Sequence, residues 1–263
     1  MTPEAARAAA QMIAEARWET RPLAPLPEAC YPATVLDGYA VQAALHELQA
    51  KNGMGRRVGY KIGCTTLVMQ DYLGIDHPCA GGIMDTRVHH GEAELGHGAF
   101  CRVGAECEIV ARIGSDIPQG TGHDRDTVAD YVDALMVGLE IVDDRYTDFH
   151  AVGVATLIAD DFFGAGCVLG EPVTDWRGLD LAAAGGGLTI DGAVGERGRG
   201  AAVMGHPLEA LAWLANHLTM VGGRVQAGEF VMLGSIVQCR WFDAPGEAVA
   251  EIAGLGQVRA RFG

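Results

Sequence analysis

"GAECEIVARIG", residues 104–114, reads as a strand. Cys107, Ile109, Ala111 and Ile113 alternate on one face, and Glu106 and Glu108 fall on the other beside Val110 and Arg112. Residues two apart on a strand point the same way, with Cα atoms about 7 Å apart. Like charges that close repel, and burying an ionised carboxylate is costly unless it is paired or metal-bound. A mostly apolar strand with two carboxylates on one face therefore has two readings. That face is turned to solvent, or a cation is held between the glutamates.

The surrounding texture extends the strand reading. After "RRVGYKIGCTT", glycines are frequent and the apolar runs are short and rich in Val and Ile. "FCRVGAECEIVARIG", "LMVGLEIVDDRY", "GAGCVLGEPV", "GLTIDGAVG", "EFVMLGSIVQCRWF" and "GEAVAEIAGLGQVRARF" all read as strands separated by Gly-rich turns. Helical patterns are interleaved at "DRDTVADYVDALM" (124–136) and "HPLEALAWLANHLTMVG" (206–222). In the second, Leu208, Leu211, Ala212, Ala215 and Leu218 form an apolar stripe. Toward the N-terminus, "TPEAARAAAQMIAEAR" is a helix with Thr2 as cap and Pro3 at its first position. Residues 21–32, with four prolines, form an extended linker. "ATVLDGYAVQAALHELQAKNG" is a second amphipathic helix, with Leu36, Tyr39 or Ala40, Ala43, Ala44 and Leu48 on its apolar face and Gly53 to end it. Many strands with few helices point to an α+β chain: a helical N-terminal segment over 1–55 and a β-rich domain over 56–263.

Composition narrows the function classes. The chain has 263 residues, 49% of them apolar and 20% charged, a globular balance long enough for a full core. A net charge of −15 leaves no basic footprint for nucleic acid and disfavours anionic membrane surfaces. To act on a small anion, such a protein must concentrate positive charge locally, as Lys, Arg or a bound metal. The seven cysteines are odd in number and include no C-x-x-C pair, which argues against a zinc site and a disulfide framework. The first residues do not read as a secretory signal, and no apolar run is long enough to span a membrane. A soluble cytoplasmic protein is the expectation.

Several polar residues are candidates for chemistry. Glu140, in "VGLEIVDD", is a third carboxylate in an apolar strand-like run. With Glu106 and Glu108 it would suit a hard divalent cation that keeps positions open for substrate. Lys61, in "VGYKIGCTT", lies between Gly59 and Gly63. A partly buried lysine can serve as an acid or base, whereas a lysine that snorkels to water does no chemistry. "IADDFFGAG" sets Asp160 and Asp161 before two aromatics, as a turn or as a carboxylate beside a substrate wall. "GAGCVLG" lacks the spacing and following helix of a dinucleotide loop, and "HHGEAELGH" reads as a polar loop. No G-x-S-x-G elbow occurs.

"VGYKIGCTT", "LGIDHPCAGGIMD", "RVGAECEIV", "LEIVDDRY", "IADDFFGAGCVLG", "GHPLEALAWLAN" and "GEFVMLGS", in this order, resemble the fumarylacetoacetate hydrolase superfamily, within it the 2-keto-4-pentenoate hydratase and 4-oxalocrotonate decarboxylase branch. The resemblance covers nearly the whole chain. It implies a mixed β-roll behind a small helical segment, with Mg²⁺ or Mn²⁺ held by Glu106, Glu108 and Glu140. It implies a 2-keto or 2-hydroxy-dienoate substrate and a homo-oligomer. It maps the family lysine onto Lys61 and suggests Asp85 as a second acid or base and Asp161 in the substrate pocket. Hydratase action in the breakdown of aromatic or related ring compounds is the leading expectation. The alternatives are a 4-oxalocrotonate-type decarboxylase, a C–C hydrolase or keto–enol tautomerase of acylpyruvates, and an inactive partner subunit. Asp161 and Phe163 depart from the Asn and small hydroxyl residue of hydratases, which points to an altered distal pocket.

Overall fold

Thr2 opens the first helix, its hydroxyl accepting a hydrogen bond from the Ala5 N–H. With Pro3 at the first helical position, α1 runs Pro3–Trp18. The computed structural model describes residues 1–263. A reciprocal cap between Thr34 and Asp37 starts α2, Val35–Lys51. This helix buries a different stripe from the expected one. Leu36 is exposed, and Gly38, Val41, Gln42, Leu45 and Gln49 face inward. Burying Gln42 is tolerable because its amide donates to the carbonyls of Ala80 and Ile158.

Then follow β1 (Arg57–Gly63), α3 (Leu67–Leu73), β2 (Cys79–Met84), β3 (Val88–His90), β4 (Glu92–Leu95) and β5 (Val103–Ile113). "HHGEAELGH" is therefore mostly two short strands and not a polar loop. The helix expected over 124–136 is only α4, Arg125–Ala129, capped by Asp124; from Val132 the same stretch is already β6, Val132–Asp143. Its pairing with β5 overrides the local helical period. The sequence reading also missed α5, Phe149–Ala159, in which Gly153 breaks the helix with φ 73°. The remainder is β7 (Gly164–Leu169), β8 (Gly185–Ile190), β9 (Ala193–Arg199), α6 (Pro207–Met220), β10 (Phe230–Ser235), β11 (Arg240–Trp241), β12 (Gly246–Ile252) and β13 (Gly256–Phe262). All five residues of the expected α6 stripe are buried. No helix is long and apolar enough to cross a membrane.

These strands form two mixed sheets in an α+β fold. One is ordered β2-β1-β10-β5-β6-β7-β3, with β11 also on β5; the other is β4-β13-β12-β8-β9. Register assigns the faces of the first sheet. Cys107, Ile109, Ala111 and Ile113 point into the main core, with residues of the second sheet and α6. The opposite face carries Lys61, Glu106, Glu108 and Glu140, floored by a smaller apolar group that includes Val110, Met136, Cys167 and Met232. α1, α2 and α5 share a third apolar cluster that also takes in Phe162.

Gly38 marks how closely α2 lies on α5: a Cβ there would stand 2.5 Å from the Ala155 carbonyl oxygen. Helix propensity alone favours Gly38→Ala by about 1 kcal/mol. Overpacking reverses the sign, and a loss of about 1–3 kcal/mol is expected from the urea midpoint. A stabilised variant would show that the two helices are not in this contact.

Candidate metal centre and its cavity

The register of β5 and β6 sets Glu106 directly opposite Glu140 and Glu108 opposite Gly138. Across the other edge of β5, Val110 pairs with Met232, and Met232 pairs with Lys61. Residues remote in sequence thus meet on one face. Carboxylate oxygens of Glu106, Glu108 and Glu140 all lie within 4.8 Å of one another. Glu108 and Glu140 are buried, and Glu106 is half-buried. Two glycines make the space. A Cβ at Gly138 would meet Val110 Cγ2 at 2.4 Å, and Gly234, at φ 116°, donates its N–H to Glu108 Oε2 at 2.8 Å.

Three carboxylates here face one buried cation. Lys61 Nζ is 3.1 Å from Glu140 Oε1, an ion pair without hydrogen-bond alignment. Glu108 Oε1 and both Glu140 oxygens have no hydrogen-bond donor. Burial, reinforced by the Glu140 charge, pushes the Glu106 carboxyl up to about 7. Burial and the two neighbouring glutamates push Glu108 up as well. For Lys61, burial works against the ammonium, but Glu140, Glu106 and Glu108 outweigh it and hold the pKa above its ordinary value. Orphaned acceptors converging on one point from hard oxygen donors fit a divalent cation. They do not fit a water-facing strand.

Asp161 lies on the wall of a cavity that Glu140 also lines, but its carboxylate is fully engaged. Its carboxylate takes His46 Nε2 at 2.6 Å, Arg17 Nη2 at 3.1 Å and the Gly82 N–H at 2.9 Å. Burial opposes its charge, yet His46, Arg17 and that N–H prevail and hold the carboxyl well below its usual range. Its neighbour Asp160 is gripped by Arg17 Nε, by Arg145 Nε at 2.9 Å and by the Tyr146 hydroxyl at 2.8 Å. These contacts stabilise a strained turn in which Asp161, Phe162 and Phe163 all have positive φ, near 51°, 49° and 66°. The turn lays the Phe162 ring over Lys61, with Nζ 5.3 Å from its centroid. A Cβ on Gly63 would strike that ring at 2.8 Å, so the second glycine beside Lys61 admits an aromatic side chain. Asp85 is elsewhere. It is exposed, accepts from the Arg56 N–H, and does not line the cavity. Arg17, His46, Arg87 and Arg145 escaped the sequence reading. Of these only "VDDRY", an arginine amid acids at a strand end, carried a local signal.

Comparison with known proteins gives these features a setting. The fumarylacetoacetate (FAA) hydrolase C-terminal family profile matches residues 84–263. A 2-keto-4-pentenoate hydratase of Paraburkholderia phymatum is 32% identical over 256 residues, 96% of this chain and 95% of that protein. A 2-hydroxyhexa-2,4-dienoate hydratase of Comamonas testosteroni is 35% identical over 255 residues, again 96% and 95%. Among solved structures, the 4-oxalocrotonate decarboxylase of Pseudomonas putida G7, complexed with magnesium and adipate, superposes with a TM-score of 0.93. It shares 27% identity, over 100% of this chain and 98% of that one.

Two expectations follow from the electrostatics. Between about pH 4.5 and 7 the folded metal-free protein binds a proton at Glu106 that the unfolded chain has released, so this stability is present at low pH and lost as pH rises through about 7. In chelator, the melting temperature of wild type relative to Glu106→Gln should fall between about pH 6 and pH 8. A pH-independent difference would show that the carboxyl is not raised. Asp161→Asn leaves Arg17 and His46 facing a neutral amide, and should cost about 3 kcal/mol or more in urea unfolding. A loss within a few tenths would show that the turn does not depend on this charge.

Proposed function

The chain belongs to the fumarylacetoacetate hydrolase family, and from that premise we propose that it is a divalent-metal-dependent hydro-lyase adding water to 2-hydroxypenta-2,4-dienoate-like acids. The hydratase names of its relatives support the reaction class. The observation that carries the reading is the set of donorless carboxylate oxygens of Glu108 and Glu140, beside Glu106 and Lys61 on one sheet face. Glu106, Glu108 and Glu140 are the residues to hold Mg²⁺ or Mn²⁺. When bound, such an ion supplies a Lewis acid for the substrate's carboxylate and C2 oxygen.

The chain's own residues do the rest. Lys61 is an ammonium at the buried end of the site, placed to give a proton to a dienol carbon as it ketonises. The Phe162 ring covers Lys61 and keeps water from that side. Asp161, ionised and held by three donors, is a positioning residue here and not an acid or base. It fixes the turn that carries Phe162. Asp85, outside the cavity, takes no part in this scheme. The setting we propose is the breakdown of aromatic or related ring compounds in the cytoplasm, by a homo-oligomer. Decarboxylation is the second reading, favoured by the full-length superposition on the decarboxylase structure.

A panel of 2-keto acids, incubated with Mg²⁺- or Mn²⁺-loaded protein and read by mass spectrometry, separates gain of water, loss of CO₂ and chain cleavage. Gain of water is expected. Glu106→Gln and Glu108→Gln should abolish metal-supported turnover while the fold persists. Lys61→Ala should slow ketonisation by about 10²–10⁴-fold with metal retained. Near-normal turnover in both glutamate variants would sink the site assignment.

A further inference from the structure

Two of the seven free cysteines are brought together by strand register. Cys64 follows the last residue of β1, and that residue, Gly63, pairs with Cys79, the first residue of β2. Directly opposed Cα atoms in an antiparallel pair stand about 4.5–5.5 Å apart. One step along the strand puts Cys64 about 6 Å from Cys79, inside the window of about 4.4–6.8 Å that a disulfide bridges. Strict alternation would turn the two side chains to opposite faces. Cys64 escapes it, because its φ of 56° is in the left-handed region. Both residues accordingly belong to the apolar cluster of α1, α2 and α5.

Their surroundings give the two thiols unequal roles. Cys64 keeps 7% of its surface accessible, and Cys79 is fully buried. The Cys79 thiol donates to the Cys64 sulfur and, with the Lys61 charge, holds the Cys64 thiol below its ordinary pKa against the effect of burial. The same contact, joined by burial, pushes Cys79 well up. At Cys101, Cys107, Cys167 and Cys239 burial pushes the thiol up. The thiolate is the nucleophile of sulfur chemistry. Cys64 is therefore suited to attack, and Cys79, shielded and within reach, to resolve.

We propose that Cys64 and Cys79 form a reversible oxidation site for hydrogen peroxide, with Cys64 as the attacking sulfur and Cys79 as the resolving one. The Cys64 thiolate attacks one peroxide oxygen and the O–O bond breaks. Cys64 becomes a sulfenic acid, and the other oxygen leaves as hydroxide, which takes up the proton that Cys64 released and becomes water. The Cys79 sulfur then attacks the Cys64 sulfur. The S–O bond breaks, the Cys79 proton goes to the departing hydroxyl, and a second water leaves. Two thiols are thus oxidised to one disulfide, and one peroxide is reduced to two waters. The new bond closes residues 64–79, the excursion that carries α3, at the end of the strand that holds Lys61. The site does not depend on the reaction assigned to the glutamates.

Hydrogen peroxide added to Mg²⁺-loaded protein, followed by thiol counting after denaturation and by peptide mapping, tests this. Wild type should lose two of its seven thiols, with Cys64 joined to Cys79, and a reductant should return both. In Cys79→Ser, Cys64 should stop at the sulfenic acid and be labelled by dimedone. In Cys64→Ser, Cys79 should remain a thiol. The double variant Cys101→Ser, Cys239→Ser, which lacks the two half-buried thiols, should form the same bond as wild type. Wild type needs no substitution and decides the matter where a variant does not fold. The absence of a Cys64–Cys79 bond in wild type, oxidation of Cys101 or Cys239 ahead of it, or an unlabelled Cys64 in folded Cys79→Ser overturns the proposal.

Discussion

Two glutamates directly opposite one another on neighbouring buried strands are the constraint around which this molecule is built. Cross-strand like charges are destabilising even when solvated, and Glu106 and Glu140 are direct cross-strand partners, with Glu140 buried. Glu108 adds a third carboxyl within 4.8 Å. The local structure softens this arrangement without cancelling it. Lys61 provides one buried positive charge, and the Gly234 N–H serves one oxygen of Glu108. The other oxygen of Glu108 and both oxygens of Glu140 have no hydrogen-bond donor. A fold that keeps them has a use for concentrated, hard oxygen ligands, and it forgoes stability to retain them.

The same strand shows what a sequence can disclose. Alternation along β5 was legible residue by residue: Cys107, Ile109, Ala111 and Ile113 all point into the main core, as their period requires. The stripe of α6 was equally plain, because its five apolar residues recur at helical spacing. What local pattern does not contain is register. That Glu140 lies opposite Glu106, and not one residue along, is a property of two strands brought together across a loop. Family resemblance identified the triad as a set, while spacing alone left a solvated face as open as a metal site. The stretch 124–136 failed for a related reason. Asp124 caps a helix and Val128 fits its inner face, but after one turn the backbone is claimed by β5. On α2, Gln42 is buried because two carbonyls from other elements accept from its amide. No helical wheel includes such partners.

Asp161 illustrates the difference between a residue's chemistry and its assignment. A carboxylate before two aromatics invites a catalytic role. In the structure three donors hold it ionised, and its charge is used to keep three consecutive residues in the left-handed region. Such a conformation costs roughly 1–2 kcal/mol per residue for L-amino acids. It persists because the surrounding contacts over-determine it, and its product is the placement of one ring above Lys61.

Those contacts also show that the helical segment is part of the site. Arg17 is the penultimate residue of α1, and His46 sits on α2. Both reach the turn after α5, and Arg17 bridges Asp160 and Asp161. The β-roll can align Glu106, Glu108, Glu140 and Lys61 by strand register alone, but it cannot by itself stabilise the turn that covers Lys61. Disrupting the docking of α1 and α2 therefore removes the cover and leaves the carboxylate platform. A platform open to water still has its ligands, but it loses the low dielectric that makes a fixed charge effective at short range. The N-terminal helices thus act on the chemistry through solvent exclusion. This explains why a chain whose three clustered glutamates all lie on strands commits two helices, Arg17, Arg145 and a strained turn to one side of one sheet.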